Sequence, residues 1–235
     1  MYYTLKMPCL KQSTVIVIAM KNRKDYIQKE LIKYGILNFH LIDAVDGKTE
    51  GENYLQNHLI SNVGKIWIQP YGHSKITPKL LGKMGCFLSH IKALRYCIDE
   101  KIEGGVFILE DDCLLNMPVA DLEIDIPASA EIVYLGGFYD KKDKTKNLQY
   151  TAGLNQIISE DIKFYTSHSY YVTSPSDLYK NCINKRPKAW DAFLITYIQK
   201  RNRCYFFTPS LINQAPWLPS NIDSTTKYSK KKFNF

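Results

Sequence analysis

Apolar and polar positions sort most of the chain into elements. STVIVIAM (residues 13–20) is an unbroken β-branched run, the pattern of a strand covered on both faces. In NRKDYIQKELIKYG (22–35), Ile27, Leu31 and Tyr34 fall at helical spacing, and Gly35 is a fitting stop. ILNFHLIDAV (36–45) reads as the next strand and DGK as a turn, so the chain opens strand–helix–strand. Residues 48–76 are polar and irregular, which predicts a long surface loop with short helical pieces. Thr77-Pro78 is an N-cap and first-turn proline, after which Leu81, Met84, Leu88, Ile91, Leu94 and Ile98 trace one helical face. Gly82 and Gly85 weaken the first turns of that helix, which makes sense if something must approach its backbone closely.

VFIL (106–109), EIVYLGG (131–137) and HSYYVT (168–173) read as further buried strands. A helix is expected from about 175 and another near 188–199, with RCYFFTP (203–209) as a late strand and the remainder loop-like. No internal repeat is present. The expected fold class is α/β, a single domain over residues 1–226 with a basic, flexible tail at 227–235.

Bulk properties narrow the function. With 235 residues, 45% hydrophobic, the chain can bury a substantial core, and no apolar run approaches the roughly 18–20 residues that span a bilayer. The start, MYYTLKMPCLKQ, lacks the order of a signal peptide, so a cytoplasmic protein is expected. The six cysteines show neither a CxxC pair nor finger spacing and are expected as buried free thiols. Much of the net charge of +8 sits in KKDKTK (141–146) and KYSKKK (227–232). The second run adjoins Phe233 and Phe235, so the tail can touch an anionic membrane surface, each lysine contributing about 1 kcal/mol. Nucleic acid is not an expected partner, because the aromatics lie in apolar runs rather than among the lysines.

The chemistry concentrates in GGVFILEDDCLL (104–115), where a buried strand runs into three carboxylates. Alternation sends Glu110 and Asp112 to one side and Asp111 to the other, where it has a structural task. Two like charges about 4 Å apart repel by roughly 4 kcal/mol at an effective dielectric near 20, unless a cation lies between them. Carboxylates favour hard ions, Mn²⁺ or Mg²⁺, and ligands of open α/β sheets gather at strand carboxyl ends. A P-loop is excluded because the glycine required five residues before Gly47 is Ile42. An aspartyl phosphatase motif fails at Glu110 in one register and at Cys113 in the other. A nucleotide-sugar transferase remains, with a sugar-nucleotide hydrolase or nucleotidyltransferase as the rival enzyme and a basic binding module as the rival of another class.

VIVIAMKNR (15–23), AVDGK (44–48), GCFLSH (85–90), FILEDD (107–112), SHSYYVTS (167–174), WDAFL (190–194) and PSLINQ…SNID (209–223) together resemble glycosyltransferase family 25. That family includes bacterial lipooligosaccharide galactosyltransferases and procollagen galactosyltransferases. The resemblance implies a GT-A fold, a Rossmann-like domain on a mixed, mostly parallel sheet. It also implies a UDP-sugar donor, galactose ahead of glucose, a Mn²⁺ or Mg²⁺ cofactor and inversion at the anomeric carbon. The acceptor would be a hydroxyl of a glycan, glycolipid or hydroxylysine-bearing glycoprotein. Carried over residue by residue, Asp112 and Glu110 hold the metal. The donor-binding set is Arg23, Asp46, Glu110, Asp111, His90, His168 and Gln214, with Asp223 a further candidate. Asp191 is the candidate base, and Trp190 beside it a candidate sugar platform. From the residues alone His90 reads first as a satisfied structural histidine, and the GCFLSH match turns it towards a donor contact; His168 reads as a donor contact or metal ligand. Asp46 reads as a nucleoside contact or a turn cap, and Arg23 as a phosphate partner or plain surface. Lys83, which stands where the family often has Glu, and Ser89 and Tyr170 are left out of the site set.

Overall fold

A computed structural model describes residues 4–50, 77–115, 119–141, 150–158, 161–165 and 168–218. In chain order the elements are β1 (Thr4–Met7), β2 (Val15–Ala19), α1 (Lys24–Lys33), β3 (Phe39–Asp43) and α2 (Pro78–Asp99). Next come β4 (Val106–Glu110), β5 (Cys113–Leu115), β6 (Ile124–Pro127), β7 (Ile132–Tyr134) and β8 (Phe138–Lys141). The rest are β9 (Gly153–Gln156), β10 (Ile162–Tyr165), β11 (Ser169–Val172), α3 (Pro175–Asn184), α4 (Trp190–Phe193), β12 (Cys204–Thr208) and β13 (Ile212–Gln214). The tail, Asp223 and residues 51–76 lie outside the described residues, as does most of the KKDKTK run.

The central sheet has seven strands in the order β3-β2-β4-β11-β7-β12-β9. β2 runs parallel to both β3 and β4, and β12 runs parallel to β7. β11 enters antiparallel between β4 and β7, and β9 closes the far edge antiparallel to β12. This is a mixed α/β sheet of the Rossmann-like kind expected for a GT-A fold.

Period-two alternation divides each buried strand between two cores. Ile16 and Ile18 of β2, Val106 and Ile108 of β4, and Tyr170 and Val172 of β11 face the core that holds Leu81, Met84 and Leu94 of α2. Val15, Val17, Phe107, Leu109 and Tyr171 face the other, with Ile27 and Leu31 of α1. Each such side chain fully removed from water contributes about 1.5–3 kcal/mol, which is why both faces of the sheet are covered. α1 ends as the sequence predicts, at Gly35 with φ +73°. α2 begins as predicted, the Thr77 hydroxyl accepting from the Leu80 N–H at 3.2 Å with Pro78 in the first turn.

The expectation of a close approach at Gly85 has a definite object, the AVDG segment that follows β3. A Cβ on Gly85 would lie 2.5 Å from the Val45 carbonyl oxygen and 2.6 Å from the Gly47 nitrogen, while one on Gly47 would overlap the Leu81 carbonyl. Ser89 completes the clasp: its hydroxyl donates to the Gly85 carbonyl at 2.7 Å and accepts from the Val45 N–H at 2.8 Å.

The helix expected near 188–199 is present, as one α-helical turn, α4, continued by a π-helical turn over Leu194–Ile198. One expectation needs correction. The segment after 209, expected as loop, contains β13, which pairs antiparallel with β5 (Gln214 opposite Cys113). Three residues at a sheet edge carry too little alternation to announce themselves. No helix among the described residues is long and apolar enough to cross a membrane.

The glycine clasp makes a signed prediction. Glycine to alanine inside a helix ordinarily stabilises by about 0.5–1 kcal/mol. Gly85→Ala should instead destabilise by about 1–3 kcal/mol, because both neighbours of the new methyl are backbone. Urea denaturation followed by circular dichroism measures it, and a stabilised variant would show that the segment 44–47 does not rest there.

Candidate active site

β2 and β4 are parallel neighbours, so their carboxyl ends lie side by side, and the acidic motif sits where β4 gives out. Asp111 continues the face of Phe107 and Leu109, towards α1. Its Oδ2 accepts from the Met20 N–H at 2.6 Å and its Oδ1 pairs with Arg23 Nη1 at 3.1 Å. Only 7% of the Arg23 side chain and 8% of the Asp111 side chain reach solvent. Burial pushes the Asp111 carboxyl up, and the Met20 N–H and the Arg23 guanidinium pull it back. The sequence reading gave Asp111 a structural task and also placed both residues in the donor-binding set; the structure pairs them with each other.

Glu110 continues the opposite face, that of Val106 and Ile108, towards α2. Its Oε1 lies 3.1 Å from His90 Nε2, and His90 Nδ1 lies 3.0 Å from the Tyr170 hydroxyl. The imidazole stacks on Trp190 with ring centres 4.4 Å apart and planes 6° from parallel. Burial drives the His90 pKa down to about 3, against the pull of Asp191, so the ring is neutral. Although 28% of the Glu110 side chain reaches solvent, its carboxyl is pushed up to about 8, first by burial and then by the charges of Asp191 and Asp111, with Arg23 opposing.

Asp112 stands in the turn between β4 and β5. Its Oδ2 accepts from Gln214 Nε2 at 3.1 Å, and its backbone oxygen accepts from the Ala215 N–H at 2.7 Å. Its Oδ1 is buried with no hydrogen-bond partner among the described residues. Burial, then Glu110 and Asp111, push this carboxyl up to about 7, again against Arg23. A buried carboxylate oxygen without a donor among the described residues, within electrostatic reach of a second raised carboxyl, is an acceptor set that a hard divalent cation satisfies. The residues present therefore fit Mn²⁺ or Mg²⁺.

The remaining candidates fall around this centre. His168 is buried behind the motif: its Nε2 lies 3.2 Å from the Ile212 carbonyl, and its own carbonyl accepts from the Glu110 N–H at 2.7 Å and from Cys113 Sγ at 3.1 Å. A side chain at Gly136 would overlap this imidazole. Asp46 follows β3 and caps the next turn, its Oδ1 accepting from the Lys48 N–H at 3.0 Å. Asp191 lies in α4, and its charge is felt by Glu110, His90 and Cys86. Trp190 is 2% exposed and sandwiched by His90 and Phe193, so it is a wall of the core rather than the open sugar platform expected. Sequence reasoning left out Tyr170 and Cys86. A buried tyrosine on a strand has no distinguishing signal, but Cys86 stands four residues before His90 on one helix and could have been paired with it.

The sequence model described as glycosyltransferase family 25 (LPS biosynthesis protein) matches residues 12–176, well over half of the chain. The chain belongs to glycosyltransferase family 25. A search of curated proteins finds no match. The matched residues of this family 25 glycosyltransferase run from before β2 to the start of α3. They contain the acidic motif, His90 and His168, whereas Asp191 and Gln214 lie beyond them. As a glycosyltransferase the protein takes a sugar donor and a glycan acceptor.

The raised carboxyls fix a sign for pH. Between about pH 7 and 8, above the ordinary histidine range and below that of a thiol, Asp112 and Glu110 are the raised groups left to titrate. The folded state holds protons there that the unfolded chain has already released, so stability falls as pH rises. Metal-free protein should melt progressively lower between about pH 7 and 8. Asp112→Asn should shallow that slope, and saturating Mn²⁺ should raise the melting temperature more at the alkaline end, both read by thermal denaturation.

Proposed function

We propose that the protein is a metal-dependent, inverting hexosyltransferase. It moves galactose, or next glucose, from a UDP-sugar to a hydroxyl of a lipopolysaccharide-type glycan or glycolipid. The observation that carries this reading is Asp112 Oδ1, buried and unpartnered among the described residues, beside Glu110 at the carboxyl end of β4.

Asp112 and Glu110 would hold the cation, which supplies charge to stabilise the departing diphosphate. The Gln214 amide fixes one oxygen of Asp112 and leaves the other for the ion. His90, gripped by Tyr170 and Trp190, sets the Glu110 carboxyl through a ring that carries no charge to compete with a cation. Asp191 takes the proton of the acceptor hydroxyl as its oxygen bonds the anomeric carbon and the bond to the diphosphate breaks. The short helix α4 brings this residue within electrostatic reach of Glu110.

Asp112→Ala should abolish transfer while circular dichroism reports an intact fold; transfer at the wild-type rate would remove the cation assignment. Asp191→Asn should lower kcat by about 10²-fold or more with donor affinity little changed, as for a group acting chiefly in the transition state. Weakened donor binding with turnover intact would assign Asp191 to the donor instead. Release of UDP measured with and without acceptor separates transfer from hydrolysis, since a hydrolase releases UDP equally in both.

A further inference from the structure

Among the described residues, one further group of side chains has the donor atoms of a metal site. Cys86 Sγ, a His90 ring nitrogen and a Glu110 oxygen all lie within 4.8 Å of one another. Cys86 and His90 are four residues apart on α2 and so share a helix face, and Glu110 meets them from the end of β4. This grouping differs in kind from the acidic turn. A thiol and an imidazole select ions of the zinc class over Mn²⁺ or Mg²⁺.

The orientation of His90 is the second observation. The side chain is 1% exposed, and its Nδ1 is engaged by the Tyr170 hydroxyl at 3.0 Å. Stacking on Trp190 holds the plane of the ring, and with Nδ1 at Tyr170 the Nε2 faces Glu110. Metal-ligating histidines are held in this way, by a partner on the nitrogen that does not bind the ion. The separation of His90 Nε2 from Glu110 Oε1, 3.1 Å, is near the edge of about 3.3 Å that two ligands at about 2.0 Å subtend on a tetrahedral ion. Three protein ligands leave the fourth position of such an ion open.

We propose that Cys86, His90 and Glu110 form a site for a thiophilic divalent cation of the zinc class, and that filling it withdraws Glu110 from the acidic turn and inhibits sugar transfer. The ion comes from the medium, and Cys86 yields its thiol proton, and Glu110 its carboxyl proton, to solvent as the ion binds. The binding half stands on geometry alone. The inhibition half rests on the reading above, that Glu110 and Asp112 hold the hard cation.

Cobalt(II) is the probe, added to the metal-free full chain. A sulfur-to-cobalt charge-transfer band in the near ultraviolet is expected, with the visible bands of a four-coordinate ion, and zinc should bleach both. Cys86→Ser, with Cys86→Ala as a second variant, should lose the charge-transfer band; Asp112→Ala should keep it. In transfer assays at saturating Mn²⁺, Cys86→Ser should need at least about tenfold more zinc to halve its own rate than wild type needs. No charge-transfer band in wild type, or an undiminished band in both Cys86 variants, overturns the site. A band without zinc inhibition overturns the inhibitory role. Transfer surviving in Asp112→Ala would overturn the hard-cation reading and leave the cobalt spectrum untouched, so the two failures are distinguishable.

Discussion

Asp111 and Arg23 meet out of water at the carboxyl ends of β2 and β4, and three parts of the fold hang on that contact. The Met20 N–H marks the end of β2, Arg23 stands immediately before α1, and Asp111 is where β4 passes into its turn. A buried pair of this kind adds little net stability over an apolar substitute, but removing one partner leaves a bare charge at a cost of about 3–5 kcal/mol. The pair therefore acts as a constraint on geometry. It directs the middle carboxylate of the motif towards α1 and obliges its predecessor, by alternation, to face α2.

Two carboxyls are left without such a partner. Among the described residues Glu110 meets a neutral imidazole and Asp112 an amide, and both sit in the field of Asp191, Asp111 or each other. Burial, and then these charges, push them up to about 8 and about 7: without a cation the fold tolerates these groups best when they carry protons. In the proposed reading, an ion bound there would relieve a cost already present in the folded chain.

How much of this the sequence made legible depended on range. The opposite facing of Glu110 and Asp111 follows from strand alternation over six residues, and the two cores follow from the same rule. Gly85 announced a close contact because glycine inside an amphipathic helix has few other reasons to be there. By contrast, Gln214 meets Asp112 across 102 positions of sequence, through two three-residue strands that have no local signature. Trp190 next to Asp191 looked like a platform because adjacency in sequence says nothing of which side of a short helix is buried. The antiparallel entry of β11, which brings Tyr170 to His90, is likewise a property of the sheet and not of the strand.

Helix α2 joins the two halves of this picture. Gly85 and Ser89 present one side of its surface to the AVDG segment, while Cys86 and His90, one position on in each case, present the adjoining side to Glu110. Successive residues on a helix are about 100° apart, so the two contacts are fixed relative to each other by backbone hydrogen bonds rather than by side-chain packing. The segment carrying Asp46 is thus held at a set distance from the acidic motif although no side-chain contact between them is needed. A shift of that segment would have to move the backbone of α2, and with it the ring that orients Glu110. In this molecule the close packing of two glycines gives a surface loop the precision normally reserved for regular secondary structure.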